Sequence, residues 1–158
     1  MKHDAETVRA WFSYDPETGN LTRKKWMKSN CHEVVPSRLG RTSLDGTAYP
    51  ITHIIWIIQY GYWPPEYVDH INRDHYDNRL VNLRLATASQ NQQNQAGYAI
   101  NHPKGVVWQG GNRKKPWKAH IRVDRGQRYL GHFATVEEAH AAYREAALKY
   151  HGEFVCLD

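Results

Sequence analysis

The segment from Tyr67 to Asn94 concentrates side chains that can transfer a proton or bind a hard cation. It contains an adjacent carboxylate and imidazole, Asp69 and His70, followed by a loop rich in Asn and Asp. An imidazole can take up a proton near neutral pH, and carboxylate and amide oxygens suit hard divalent cations. A single such dipeptide usually belongs to a solvated loop, so its meaning depends on the elements that position it.

The pattern around the dipeptide predicts a strand, a second strand and then a helix. Tyr67–Ile71 forms the first strand and Leu83–Ala86 the second, with the polar loop between them. Thr87 or Ser89 can cap a helix that begins around Gln90. Such a hairpin followed by a helix can bring residues of the first strand opposite a helix side chain.

The residues brought together in this way are Asp69, His70 and Asn91. As neighbours on a strand, Asp69 and His70 point to opposite faces unless the strand ends or twists there. A second dipeptide, Asp74-His75, could compete for the same chemistry, but it lies in mid-loop without flanking strand residues. His70 is therefore the preferred histidine.

The chain before this hairpin supplies a scaffold of short elements. Residues up to about Tyr49 are predicted as short strands, with a turn cluster at 15–20 between strands Val8–Phe12 and Leu21–Arg23. An apolar pattern of helical period follows, at Ile51, Ile54, Ile55 and Ile58.

Local signals mark the ends of this predicted helix. Thr52 is a possible N-cap and Gly61 a stop. His53, at its start, is interpreted as a packed or capping histidine.

The residues of this region resemble those of the HNH endonucleases, in particular the branch of phage and intron-encoded homing enzymes. The lead-in segments 14–19, 47–53 and 63–65 also match that branch, so the resemblance covers most of Val8 to Asn94. The matching residues of the hairpin and helix are Val68-Asp69-His70-Ile71, Asp77-Asn78-Arg79, Asn82-Leu83-Arg84, Thr87, Gln90, Asn91 and Asn94.

The resemblance implies a ββα-metal site that hydrolyses phosphodiesters. His70 would be the general base, because neutral imidazole takes a proton near neutral pH, and Asn82 would orient it by tying the loop together. Asp69 and Asn91 would bind one Mg²⁺ or Mn²⁺ per active site. Asn91 stands where the family name has its last histidine, which favours Mg²⁺ over a softer zinc site.

The C-terminal half carries the excess positive charge of the chain. The formal net charge is +5 and the pI is near 9.2, which favours a polyanionic partner. The basic cluster is interleaved with Trp108, Trp117 and Tyr129, which suits a phosphate backbone with base or sugar faces. Its basic members are Lys104, Arg113, Lys114, Lys115, Lys118, Arg122, Arg125 and Arg128, against the single acid Asp124.

Alternation in this half predicts three antiparallel strands, at 105–108, 116–123 and 127–133. A turn at 124–126 joins the last two. Thr135 and Glu138 form a capping-box pattern, and the helix that follows ends before Gly152. Helix packing on one face of the sheet leaves the other free, with Lys118, His120 and Arg122 on it, and such a ribbon can enter the major groove of DNA.

This module resembles the plant ethylene-response-factor (Apetala-type) DNA-binding domain. The resemblance is carried by Gly105-Val106, Trp117, Ala119, Ile121-Arg122, Tyr129-Leu130-Gly131, Phe133, Glu137-Glu138-Ala139, Ala142-Tyr143, Ala146-Ala147 and Gly152. It implies DNA contacts by Lys104, Trp117, Arg122 and Tyr129. Trp108 and Trp117 suit the core of a small sheet equally well.

Two departures from the plant pattern limit that resemblance. Val107 and Gln109 replace arginines of the plant first strand, so the plant sequence preference is not transferred. Arg128, within the basic cluster, is a further predicted DNA contact. Arg84, in the hairpin, is another, although a solvated charge is an equally good interpretation.

The remaining composition excludes several classes of protein. A chain of 158 residues is too short for a barrel-sized enzyme, and Cys31 and Cys156 alone give neither a disulfide framework nor a zinc ribbon. The longest apolar run, Ile54–Ile58, cannot span a bilayer. We therefore expect a soluble protein with no membrane partner, cytoplasmic and, as a phage product, in the bacterial host.

The sequence thus predicts an α+β protein with a ββα-metal nuclease core. The predicted parts are a β-rich scaffold at 1–49, the nuclease core at 50–96, a linker at 97–103 and a three-stranded sheet with one helix at 104–158. The expected activity is metal-dependent cleavage of double-stranded DNA by a monomer without an obligate protein partner. A non-catalytic DNA-binding regulator with the same fold and an RNA-directed protein remain the alternatives.

Overall fold

The computed structural model describes residues 3–26, 29–95, 102–123 and 126–157, and leaves out the side chains of residues 25–32. Over these ranges the protein mixes four α-helices with small antiparallel sheets, in line with the α+β prediction. The chain divides into two compact units, Met1–Thr87 and Ala88–Asp158. Residues 97–101 of the predicted linker, the turn residues Asp124 and Arg125, and the Cys31 side chain lie outside the described part.

The first unit consists of short elements around one apolar core. In chain order they are α1 (Ala5–Trp11), β1 (Phe12–Tyr14), β2 (Leu21–Trp26), β3 (Ser29–Val34), a 3₁₀ turn (Ser37–Leu39), β4 (Arg41–Leu44), β5 (Thr47–Pro50), α2 (Ile51–Tyr60), β6 (Tyr67–His70), a second 3₁₀ turn (Leu80–Asn82) and β7 (Leu83–Ala86). Strands β1, β2 and β3 form one sheet, and β4–β5 and β6–β7 form hairpins.

The start of the first unit corrects the sequence prediction. Val8 to Trp11 belongs to helix α1 rather than to a strand. The Asp4 carboxylate caps this helix by accepting from the Thr7 N–H at 2.8 Å. Val8 and Phe12, four residues apart, are both buried in the core. This spacing is typical of one face of a helix, whereas a strand would bury alternate residues.

Helix α2 follows the predicted pattern with a different beginning. Its apolar face, Ile51, Ile54 and Ile55, is buried in the core, and Gly61 ends it with φ +82° as predicted. Thr52 is not the N-cap, because the helix begins at Ile51 directly after Pro50. The Ile51 N–H donates to the Gly40 carbonyl at 3.1 Å, so a tertiary contact satisfies the first turn.

The second unit contains a three-stranded sheet covered by a long helix. Its elements are α3 (Ala88–Asn94), β8 (Val106–Trp108), β9 (Trp117–Val123), β10 (Gly126–Phe133), α4 (Val136–His151) and a 3₁₀ turn (Gly152–Phe154). The strand order β10-β9-β8, antiparallel throughout, is the predicted meander.

Helix α4 begins where the capping-box pattern predicts. The Thr135 hydroxyl accepts from the Glu138 N–H at 3.2 Å, and the Glu138 carboxylate accepts from the Ala134 N–H at 3.1 Å. Ala139 and Tyr143 of this helix pack on Ala119 and Ile121 of β9. Over the described ranges, no helix combines the length and apolar character needed to cross a membrane.

Candidate functional site

The hairpin β6–β7 places the acidic-histidine dipeptide at the end of its first strand. Asp69 pairs with Arg84 and His70 with Leu83 across the two strands. Directly paired residues share a face, so Asp69 lies on the face of Arg84 and His70 on that of the core residue Leu83, as strand alternation predicts. Both side chains are nearly inaccessible, with exposed fractions of 6% for Asp69 and 9% for His70.

Asp69 forms an ion pair with Arg84. The Arg84 Nε donates to Asp69 Oδ2 at 3.0 Å, and its Nη2 lies 3.0 Å from the same oxygen. Both side chains are largely buried, which makes this pair stronger than a solvated one. The guanidinium of Arg84, which is predicted to contact a DNA phosphate, is thus already paired with the Asp69 carboxylate.

The imidazole of His70 contacts an amide from the hairpin loop. His70 Nε2 lies 2.9 Å from Asn78 Oδ1, and Asn78 is only 3% exposed. The rival histidine, His75, is exposed in a turn, and its ring meets that of His70 edge-on at 5.5 Å between centroids. The two histidines are thus neighbours, but His70 is the one fixed in a buried, hydrogen-bonded setting.

Asn82 holds the loop between the two strands together. Its Nδ2 donates to the Asp77 carbonyl at 2.7 Å and to Asn72 Oδ1 at 2.9 Å, and its Oδ1 accepts from the Asn72 N–H at 2.9 Å. These contacts join the start and the end of the loop that follows His70. They are the kind of contacts expected of a residue that ties the loop.

Asn91 lies on helix α3, which belongs to the second unit. The chain order of β6, β7 and α3 matches the predicted strand, strand and helix, with α3 beginning at Ala88, before Gln90. Pairing of Asn91 with Asp69 around a metal stays a prediction.

The chemistry of the predicted ligands can be compared with the implied metal. Over the described ranges, no group of three or more His, Cys, Asp or Glu side chains could hold a metal ion. The predicted set has a different composition, one carboxylate and one amide. Both are hard oxygen donors, which fit Mg²⁺ or Mn²⁺ completed by water and phosphate oxygens.

In the second unit, the sheet face opposite α4 collects part of the predicted DNA-contacting residues. Lys118, His120 and Arg122 alternate on β9 with the buried residues that face α4. Tyr129 of β10 pairs with His120 and shares that face. Burial and the neighbouring Lys118 ammonium lower the pKa of His120, which disfavours the charged form of its ring.

Three other predicted DNA contacts lie elsewhere in the second unit. Trp117 packs against the core beneath α4, and the Arg128 guanidinium lies over the ring of Tyr150 of α4, 5.1 Å from its centroid. The Lys104 ammonium donates to the carbonyl oxygens of Gln93, at 2.6 Å, and of Gln95. These side chains have structural contacts within the unit, and their contact with DNA stays a prediction.

Asn78 is among the hairpin residues that resemble the HNH endonucleases, but the sequence predicts no role for it. Its burial and its contact with His70 make it part of the candidate site. Its neighbours in this polar loop do not indicate that Asn78 is buried, because partners such as Tyr14 and Ser37 come from distant parts of the chain.

Comparison with known proteins finds one family that matches part of the chain. Residues 50–93 match the family model of the HNH endonucleases. This segment contains Asp69, His70, Asn82 and Asn91. No curated protein and no solved structure gives a significant match. The family match suggests DNA nuclease activity for this part of the chain.

Proposed function

We propose that this protein is a metal-dependent DNA endonuclease of the homing type, in which the hairpin β6–β7 and helix α3 form a ββα-metal site. The observation that carries the proposal is the buried Asp69-His70 dipeptide at the end of β6, inside the segment that matches the HNH family model. A buried carboxylate and a buried imidazole side by side are costly to fold unless paired, and such costs are typical of functional sites.

In this proposal His70 acts as the general base. Its imidazole takes a proton from a water molecule, whose oxygen attacks the scissile phosphorus. The bond from phosphorus to the 3′-oxygen breaks, and the departing oxygen gains a proton from solvent. The products are a 5′-phosphate end and a 3′-hydroxyl end.

Asp69 and Asn91 are the proposed ligands of one Mg²⁺ or Mn²⁺. The bound ion would offset negative charge on the scissile phosphate and on the departing oxygen. Arg84 holds the Asp69 carboxylate in place, and Asn82 keeps the loop closed behind His70.

The second unit is proposed to bind double-stranded DNA through the sheet face that carries Lys118, His120, Arg122 and Tyr129. A three-stranded sheet with a helix on one face is also the architecture of the ethylene-response-factor domain that the sequence resembles. A protein that acts as a monomer would cut one strand at a time.

Plasmid cleavage tests the nuclease proposal directly. We expect the purified full chain to convert supercoiled plasmid to nicked plasmid with Mg²⁺ but not with EDTA. His70→Ala should abolish cleavage while leaving DNA affinity unchanged, because it removes the base and no surface charge. His75→Ala is the matched control, since it removes the neighbouring histidine, and it should cleave normally.

Other outcomes of that experiment point elsewhere. A fully active His70→Ala protein would exclude His70 as the base. Linear product would indicate paired cuts rather than a nicking monomer. Salt-sensitive binding without cleavage would favour the DNA-binding regulator, and preference for RNA as competitor would favour an RNA-directed protein.

A further inference from the structure

Asn78 joins the candidate base to the N-terminal part of the chain. Its side-chain amide lies between His70 and Ser37, and its backbone carbonyl accepts from the Tyr14 hydroxyl at 2.8 Å. Ser37 and Tyr14 both lie outside the segment that matches the family model. The contacts therefore raise the question of what this part of the chain does for His70.

The two ends of the Asn78 amide have different chemical roles. Nδ2 donates to the Ser37 Oγ at 3.2 Å, and Oδ1 lies on the other side, 2.9 Å from His70 Nε2. A carbonyl-type oxygen only accepts hydrogen bonds, so Nε2 must carry the ring proton in the neutral imidazole. Nδ1 is then the nitrogen with the lone pair that can take a proton.

Backbone contacts hold Asn78 in that position. The Leu80 N–H donates to the Pro16 carbonyl at 3.2 Å. A Cβ placed on Gly19 would lie 2.8 Å from the carbonyl carbon of Asn78 and 2.7 Å from the Arg79 nitrogen, closer than real contacts allow. The turn between β1 and β2 thus packs tightly against Asn78, the loop residue that contacts His70.

We propose that Asn78 is a positioning residue that fixes His70 as its Nε2–H tautomer, and that the N-terminal part of the first unit serves to hold Asn78 in place. This inference rests on the proposed function, because a fixed tautomer matters only if His70 takes a proton. It gives Asn78 a different role from Asn82, whose side chain bonds the loop itself.

Nitrogen NMR of ¹⁵N-histidine-labelled full chain tests the tautomer without any cleavage. The spectra are recorded with EDTA at a pH where the imidazole is neutral, and His70→Gln identifies the signal. We expect the Nε2–H tautomer in the wild type and a mixture of tautomers in Asn78→Ala. Asn78→Asp should restore the Nε2–H form, because a carboxylate oxygen is also an acceptor.

Single-turnover cleavage of plasmid with Mg²⁺ gives the second readout. Loss of a partner that orients a metal-bound histidine typically costs about 10- to 100-fold in activity, and by analogy we expect a decrease of that size in Asn78→Ala at unchanged DNA affinity. Asn78→Asp should recover part of the rate. Gln59→Ala removes an exposed amide from α2 and serves as the control that changes neither rate nor tautomer.

Ser37→Ala provides a second test that keeps Asn78 and its contact with the ring. It removes the oxygen that accepts from Asn78 Nδ2 and so loosens the amide, and the tautomer preference should weaken while the protein stays folded. This variant decides the question if Asn78→Ala does not fold.

The outcomes separate this inference from the nuclease proposal. A wild-type Nδ1–H tautomer would overturn the inference, as would unchanged tautomer and rate in both Asn78→Ala and Ser37→Ala, even in an active nuclease. A protein that cleaves no DNA while its His70 tautomer follows Asn78 would refute the nuclease proposal and support the positioning role.

Discussion

Buried polar side chains are concentrated in strand β6 and in the hairpin loop that follows it. Asp69, His70, Asn78 and Asn82 are all buried, and each has a polar partner within 3.0 Å. An unpaired polar group in such a setting costs free energy, so each partner contributes to stability as well as to the site. Changes at these residues therefore need separate measurements of folding and of cleavage.

The Arg84–Asp69 pair gives a prediction at this scale. Arg84→Ala leaves a buried carboxylate without its guanidinium, and removing one member of a buried ion pair costs about 3 kcal/mol of the free energy of unfolding. Urea denaturation measures this loss, and Arg84→Lys, which keeps a positive charge, should lose less.

The same variant tests the predicted phosphate contact of Arg84. If Arg84 also bound a DNA phosphate, the salt dependence of binding would weaken in Arg84→Ala. A variant as stable as the wild type would contradict the importance of the ion pair.

At the scale of elements, close backbone approaches decide how the second unit packs. Gly105 precedes β8 and lies directly on the ring of Tyr143 from α4. A Cβ at this position would lie 2.0 Å from Tyr143 Cδ2 and 2.7 Å from the His120 carbonyl oxygen. Tyr143 is fully buried in a close-packed core, so its ring has little room to withdraw.

Gly105→Ala is therefore expected to destabilise the second unit strongly. Overpacking a close-packed core costs about 1 to 3 kcal/mol, and the left-handed backbone adds about 1 to 2 kcal/mol for a residue with a Cβ. Thermal unfolding monitored by circular dichroism measures the combined loss.

Gly111→Ala is the matched control for this prediction. Gly111 has a similar φ, +75°, against +76° for Gly105, but no atom lies within 4 Å of its Cβ position. It should lose only the backbone contribution. Equal losses in the two variants would show that contact with Tyr143 does not decide the packing.

At the scale of the whole molecule, charge is distributed unevenly over the chain. The net charge of +5 comes mainly from the basic cluster in the C-terminal half. In the second unit, Lys118 and Arg122 lie on the sheet face opposite α4, whereas Arg144 is exposed on α4 itself. The face of the sheet, rather than total charge, is the proposed determinant of DNA binding.

Arg122→Ala tests that distribution of charge. Loss of one phosphate contact should weaken binding to a random-sequence duplex and reduce the slope of log affinity against log salt concentration by about 1. Fluorescence anisotropy over a salt series measures both quantities. Arg144→Ala removes the same charge from the opposite side of the unit, and an equal effect there would argue for non-specific attraction.

The sequence determined those elements whose signals are local. The helix α2 with its stop at Gly61, the strands Leu83–Ala86 and Trp117–Val123, and the start of α4 at Thr135 follow from apolar period, turn residues and capping, which act within a few residues. The dipeptide Asp69-His70 was identified in the same way, from its residue types and the strand around it.

Tertiary structure decided the features that depend on distant partners. The beginning of α2 depends on the Gly40 carbonyl, eleven residues earlier in the chain, and the capping pattern at Thr52 did not predict it. Asn78 meets Ser37 and Tyr14 across 41 and 64 residues of sequence. Such contacts form because buried polar groups must find partners anywhere in the folded chain, and a local pattern of residues cannot specify which partners they find.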